Sequence, residues 1–151
     1  MNDQLRQVRT AADLLPFAEL TSTTTYEVHG RRLPSDEARP EEDCASNFNV
    51  LVRKELGELE TRARVQVLTT EADLLADIGA TYSFSEPLHL EEDVVQEFVE
   101  RAGVMAVFPY LREAIQTTAT RLGVDAPVLG LLRAGSFRLS LNTDDEAVVA
   151  E

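Results

Sequence analysis

The chain has 151 residues, 44% of them hydrophobic, enough for one domain with its own core and too few for two. A formal net charge of -13 repels phosphate backbones and anionic lipid, so the expected partners are polypeptides, with no nucleic acid and no membrane among them. No apolar run approaches the ~20 residues of a membrane span, and Met1-Asn2-Asp3-Gln4-Leu5-Arg6 lacks the order of a signal peptide, which makes the cytoplasm the expected compartment.

From Asp3 to Leu15, Leu5, Val8, Ala11, Ala12 and Leu15 recur three and four apart, predicting an N-terminal helix within residues 1–16 that Pro16 ends. Ala18 to Val28 carries Leu20, Thr24, Tyr26 and Val28 on one parity and reads as the first strand, its threonine run forming a polar face. Residues 29–46, with Gly30, Pro34, Pro40 and little to bury except Leu33, read as a long exposed loop. The second strand begins at Phe48, with Phe48, Val50, Val52 and Leu56 on one face. Gly57-Glu58 is the expected type II′ connection to a third strand, which places Leu59, Ala63, Val65 and Val67 inside and Glu60, Arg62, Arg64 and Gln66 outside. A fourth strand runs to about Phe84 through Leu74, Ala76, Ile78, Ala80 and Tyr82. Four strands in sequence imply an antiparallel meander with one covered face.

After Pro87 the pattern turns helical. Glu91, Glu92 and Asp93 suit the positive end of a helix dipole, and Val94, Val95, Phe98, Val99 and Ala102 form the stripe of a short helix. Gly103 interrupts it. A long helix follows through Val104, Val107, Phe108, Leu111, Ile115, Thr118 and Leu122, with Gly123 as its stop. Pro109 inside that stripe predicts a regular start near Phe108, or a kink. Val128, Leu129, Leu131, Leu132, Phe137, Leu139 and Leu141 make a further apolar segment that needs a surface to cover, and residues 142–151 read as an acidic, flexible tail. The fold class is therefore α+β: one domain over residues 1–141, its four-stranded antiparallel sheet packed with a short and a long C-terminal helix.

The chemistry of catalysis is thin. The only histidines, His29 and His89, fall in separate loops, and Cys44 is a lone loop cysteine that admits no internal disulfide. Glu41-Glu42-Asp43, Glu91-Glu92-Asp93 and Asp144-Asp145-Glu146 lack the glycine-punctuated alternation of a calcium loop and read as solvated charge. There is no glycine-flanked serine elbow and no phosphate-cradling glycine loop. No metal, cofactor or catalytic residue is expected. A small oligomeric enzyme with its site between sheet and helix stands as the alternative of another class.

Phe108-Pro109-Tyr110-Leu111-Arg112-Glu113, at the head of the long helix, resembles the Phe-Pro-Tyr-Ala-Arg-Glu signature of the SecB family of protein-export chaperones, with Leu111 in place of the usual alanine. Arg121-Leu122-Gly123-Val124 through Pro127-Val128-Leu129 is similar to the family's segment after that helix, and Thr25-Tyr26-Glu27 resembles its Ser-Phe-Glu near the end of the first strand. The likeness spans roughly Ala18 to Leu139.

The resemblance implies an ATP-independent holding chaperone, assembled as a homotetramer (a dimer of dimers), that takes unfolded preproteins or other clients in apolar grooves. Tyr26, Leu33, Val128, Leu129, Leu131, Leu132 and Phe137 are the candidate groove residues. It also implies docking of the SecA translocase motor on an acidic sheet surface, where Glu27 and Glu71 are the candidates and Thr23 stands in place of an expected aspartate. The loop after the first strand departs from the family in having no aromatic residue. Some family members guard an antitoxin in a toxin-antitoxin-chaperone system, and the N-terminal helix and altered loop keep that reading open.

Overall fold

The computed structural model describes residues 5–130 and the backbone of two further strands at 138–141 and 146–150. It opens with a strand, β1 (Arg6–Val8), one helical turn, α1 (Ala11–Leu14), and a 3₁₀ turn over Leu15–Phe17 that contains Pro16. The helix expected within residues 1–16 is thus confined to Ala11–Leu14. Thr10 sets the limit: its backbone is extended (φ -137°, ψ 159°) and its side chain accepts from the Asp13 N–H at 3.1 Å, making it an N-cap rather than a mid-helix residue. The residues before it pair in parallel with β6 (Leu88–Leu90).

Four long strands follow: β2 (Ala18–Arg32), β3 (Ala45–Lys54), β4 (Glu58–Leu68) and β5 (Ala72–Phe84). All pair antiparallel, and two short strands, β7 (Arg138–Leu141) and β8 (Glu146–Ala150), extend the sheet to the order β2-β5-β4-β3-β8-β7. The meander expected of all four holds for β3, β4 and β5, while β2 lies beside the last of them, a Greek-key type of return. The loop expected over 29–46 begins later, because β2 runs on to Arg32. It crosses the β4–β5 turn and is fastened there. Leu33 N–H donates to Glu71 O (2.7 Å), Arg39 N–H to Thr70 O (2.8 Å), and the Arg39 guanidinium to Thr69 O and Asp73 Oδ1 (2.6 Å each).

β2 carries two bulges, between Leu20 and Ser22 and between Thr25 and Glu27. Each extra residue resets the alternation. Leu20 and Val28 therefore sit opposite Tyr82 and Ala76 on the helix side, while Tyr26 turns to the outer side, where its ring lies near Gly79. The β3–β4 hairpin also differs from its expected form. Glu55 N–H donates to Glu58 O at 2.9 Å, so Leu56-Gly57 forms the tip, and Leu56 is exposed instead of sharing the buried face. The tip carbonyls are engaged from outside, Leu56 O by Leu88 N–H and Gly57 O by Phe84 N–H. Gly57 takes no left-handed φ there, so the type II′ form is not adopted.

Helix α2 (Glu92–Phe98) passes into α3 (Val104–Leu122) without a break, through one wide turn over Val99–Gly103 in which Val104 N–H reaches back five residues to Val99 O. Gly103 is a point of contact rather than interruption, since a Cβ there would run into the Thr61 side chain of β4. Helical backbone is already established at Val104, so Pro109 lies in the interior of α3 and leaves the Met105 carbonyl without its usual N–H donor. Val104, Val107, Leu111, Ile115 and Ala119 join Ala63, Val65, Leu74, Ala76 and Ile78 of the sheet in one apolar core. Residues 142–151, expected to form no structure of their own, contribute β8. Its main chain finds partners on the outward edge of β3. Among the described residues no helix is long and apolar enough to cross a membrane.

Candidate functional site

The apolar core reaches the surface beside the first turns of α3. Phe108 is half-buried and meets Phe48 of β3 edge to face, with ring centroids 6.4 Å apart at 73°. One turn on, the Arg112 guanidinium lies 5.1 Å from the Phe108 centroid, within reach of a cation–π attraction. Its Nε and Nη2 donate to the carbonyls of Leu129 and Gly130, each at 3.2 Å. Those carbonyls are available because the chain reverses after the helix. Gly123 adopts φ +70°, its N–H and that of Val124 bond the last carbonyls of α3, and the following residues return toward Arg112.

The result is a shelf with a rigid base. Phe48, Phe108 and Leu129 are half-buried against the core and Val128, next to Leu129, is 82% exposed, whereas Tyr110, two residues from Phe108, leaves the other flank of α3 and is 47% exposed. Within the hexapeptide the tasks divide. Leu111 is fully buried, Arg112 clamps the returning chain, Pro109 is exposed, and Glu113 accepts from Thr117 Oγ1 at 2.7 Å on the solvent side.

The outer face of the sheet is of another kind. Asp77 of β5 is 1% exposed and receives both Nε and Nη2 of Arg62, each at 2.8 Å, and Arg64 Nη1 at 3.3 Å. Arg62 stacks 3.8 Å from the Tyr26 centroid. The Tyr26 hydroxyl donates to Glu60 Oε2 at 2.5 Å, and Glu60, 6% exposed, also faces Arg53 at 3.6 Å. Gly79 makes room for this arrangement, since a Cβ there would crowd the Glu60 carboxylate and the Tyr26 ring. The hydrogen bond to Glu60, and secondarily burial, pushes the Tyr26 phenol above its ordinary pKa, while the bond to Asp77 raises Arg62. Each carboxylate in the cluster thus has a basic or phenolic partner.

The residues expected from sequence to form one groove lie apart. Val128 and Leu129 belong to the shelf. Tyr26 is on the opposite face of the sheet, and Leu33 is buried under the fastened loop. Leu131, Leu132 and Phe137 lie outside the described residues. Glu27 is paired with Arg64 at 3.2 Å; Glu71 is exposed at the β4–β5 turn, where its carbonyl holds Leu33. Sequence reasoning placed Phe48 only as a strand residue and Glu60 only outside. The legible sign of the outer cluster was Asp77, a lone charge in the apolar run Leu74-Leu75-Ala76-Asp77-Ile78, which needs a buried partner.

No family model matches the sequence. A curated relative, the SecB-like chaperone SmegB of Mycolicibacterium smegmatis, is 40% identical over 132 residues, 87% of each chain. The chain belongs to the SecB-like chaperones. The solved structure of the Mycobacterium tuberculosis SecB-like chaperone Rv1957, in complex with a ChAD peptide from the Rv1956 HigA1 antitoxin, has the same fold. Its TM-score is 0.63 at 16% identity, over 81% of this chain and 95% of that one. The α+β order of a four-stranded antiparallel sheet and long helix is therefore the SecB-like one.

Proposed function

We propose that this SecB-like protein is a holding chaperone that binds extended, non-native polypeptide segments on the shelf formed by Phe48, Phe108, Val128 and Leu129, with no nucleotide or other cofactor. The observation that carries the reading is the exposure of apolar side chains over a base fixed by Arg112. Such a surface gains free energy by covering side chains of almost any apolar segment, and the net charge of -13 favours segments rich in lysine and arginine. Relatives that are chaperones favour binding over catalysis.

Of the two client classes, we favour a dedicated antitoxin over exported preproteins. The solved relative holds an antitoxin peptide. Docking of a secretion motor is less well supported: Glu27 is already paired with Arg64, and Thr23 occupies a position where the family carries an aspartate. The proposed setting is the cytoplasm, and the proposed assembly a tetramer built from dimers. In favour of assembly, β2 has no further strand beside it among the described residues, and none of its own residues is buried. A long bare edge in a working protein calls for a cover.

Light scattering tests assembly, and a monodisperse monomer contradicts it. For the client, calorimetric titration with peptides tiling an antitoxin encoded beside the gene is expected to give one tight-binding window. A gene neighbourhood with no toxin-antitoxin pair, or no binding window, returns the choice to export.

A further inference from the structure

On one side β3 is in register with β4 along its whole length, from Ala45 opposite Leu68 to Lys54 opposite Leu59. On the other side it carries a segment of the chain's own later sequence. β8 places Val148 opposite Asn49, Ala147 opposite Val50 and Glu146 opposite Leu51, three positions along a ten-residue strand. Its remaining main-chain support is the hairpin with β7, which runs from Arg138 opposite Ala150 to Leu141 opposite Ala147 and forms the end of the sheet. The stretch so occupied adjoins Phe48, the β3 residue whose ring meets Phe108 in the shelf.

We propose that β8 is a built-in stand-in for a client, seated on the edge of β3 and displaced when an extended client segment adds to that edge as a strand. This rests on the holding-chaperone reading and specifies how the site is regulated. Strand addition draws its affinity from main-chain hydrogen bonds, which every sequence can make, and its selectivity from pockets for alternate side chains. Here those side chains fall toward Phe48 and Phe108. A client can use more of β3 than the three positions that β8 uses.

Charge works in the same direction. β8 carries one acidic and no basic side chain, so a basic segment that replaces it lowers the self-repulsion of a chain of net charge -13. Because β8 must leave before the client binds, apparent affinity is lowered by the fraction of molecules in which the edge is closed. The device keeps a sticky edge covered until a better strand arrives.

The test uses the full chain and reduced, carboxymethylated α-lactalbumin as a permanently unfolded probe. Ala147→Pro/Val148→Pro removes two adjacent N–H groups of β8, one of which must point at β3. The double variant is expected to bind the probe at least about threefold more tightly than the wild type. In the wild type, hydrogen exchange with the probe present is expected to show residues 146–150 losing protection while the amides of 49–51 stay protected. Equal or weaker binding by the variant, or unchanged protection of 146–150 on binding, overturns the proposal and leaves the chaperone reading standing. If neither chain binds the probe, the chaperone reading falls and this inference with it.

Discussion

On the helix-covered side of the sheet, Val107, Leu111 and Ile115 share a core with Ala63, Val65, Leu74 and Ile78, none more than 4% exposed; on the other side Glu60 and Asp77 are nearly as buried, yet charged. The first side is held by area removed from water, a term that is non-directional and tolerant of rearrangement. The second is held by mutual satisfaction. Arg62 completes Asp77, Tyr26 completes Glu60, and loss of one member strands another away from water. The contrast suggests where a partner has most to gain. The outer face has spent its charges internally, whereas the apolar side ends at Phe48 and Phe108 with surface still to cover.

Five substitutions sharpen or break this contrast. Leu111→Ala leaves a cavity in the fully buried helix face and is expected to cost about 2–5 kcal/mol in urea denaturation; a cost near zero breaks the packing account. Asp77→Ala removes the acceptor of Arg62 and Arg64 and is expected to cost about 1.5–3 kcal/mol, toward the lower figure because those arginine side chains are 32% and 43% exposed and screened by water. Stability unchanged on this substitution means the outer cluster is ornamental.

Next come two glycines. Gly103→Ala presses a methyl against buried Thr61 and is expected to cost about 1–3 kcal/mol. Gly79→Ala meets the far end of the Glu60 side chain and the Tyr26 ring, which is 43% exposed and can yield toward solvent, and is expected to cost less. The reverse order contradicts this reading of the two contacts.

Tyr26→Phe is expected to have the smallest effect. Its folded pKa is raised, so the phenol's contribution is fully present below the ordinary value of about 10 and is lost as pH rises through the folded pKa. Wild type is therefore the more stable at neutral pH, and the difference between the two chains closes on the alkaline side. A difference that widens with pH contradicts the hydrogen bond to Glu60.

The period-two runs of β3, β4 and β5 and the stripe of α3 were legible in the sequence because burial on one face dictates them, and Gly123 because only a left-handed residue suits that turn. β2 was legible as a strand but not in its facing, since two bulges among threonines leave no apolar trace of the change of phase. The N-terminal helix failed because Thr10 caps a short turn inside an otherwise helical spacing. Leu33 was read as a groove residue of an exposed loop because its burial depends on backbone bonds to the distant β4–β5 turn. The shelf was half legible. The hexapeptide marked one wall, but its pairing with Phe48 depends on packing between a strand and a helix some sixty residues apart.

The central claim, that non-native polypeptide is held on the shelf, is tested most directly by Val128→Asp, which sets a carboxylate on its exposed surface. Val128 is 82% exposed, so the variant is expected to fold with stability within about 0.5 kcal/mol of the wild type. At stoichiometric ratio the wild type is expected to suppress aggregation of an unfolding client, read by light scattering, and the folded variant to lose most of that protection. A variant that protects as well as the wild type, or a wild type that gives no protection, contradicts the account.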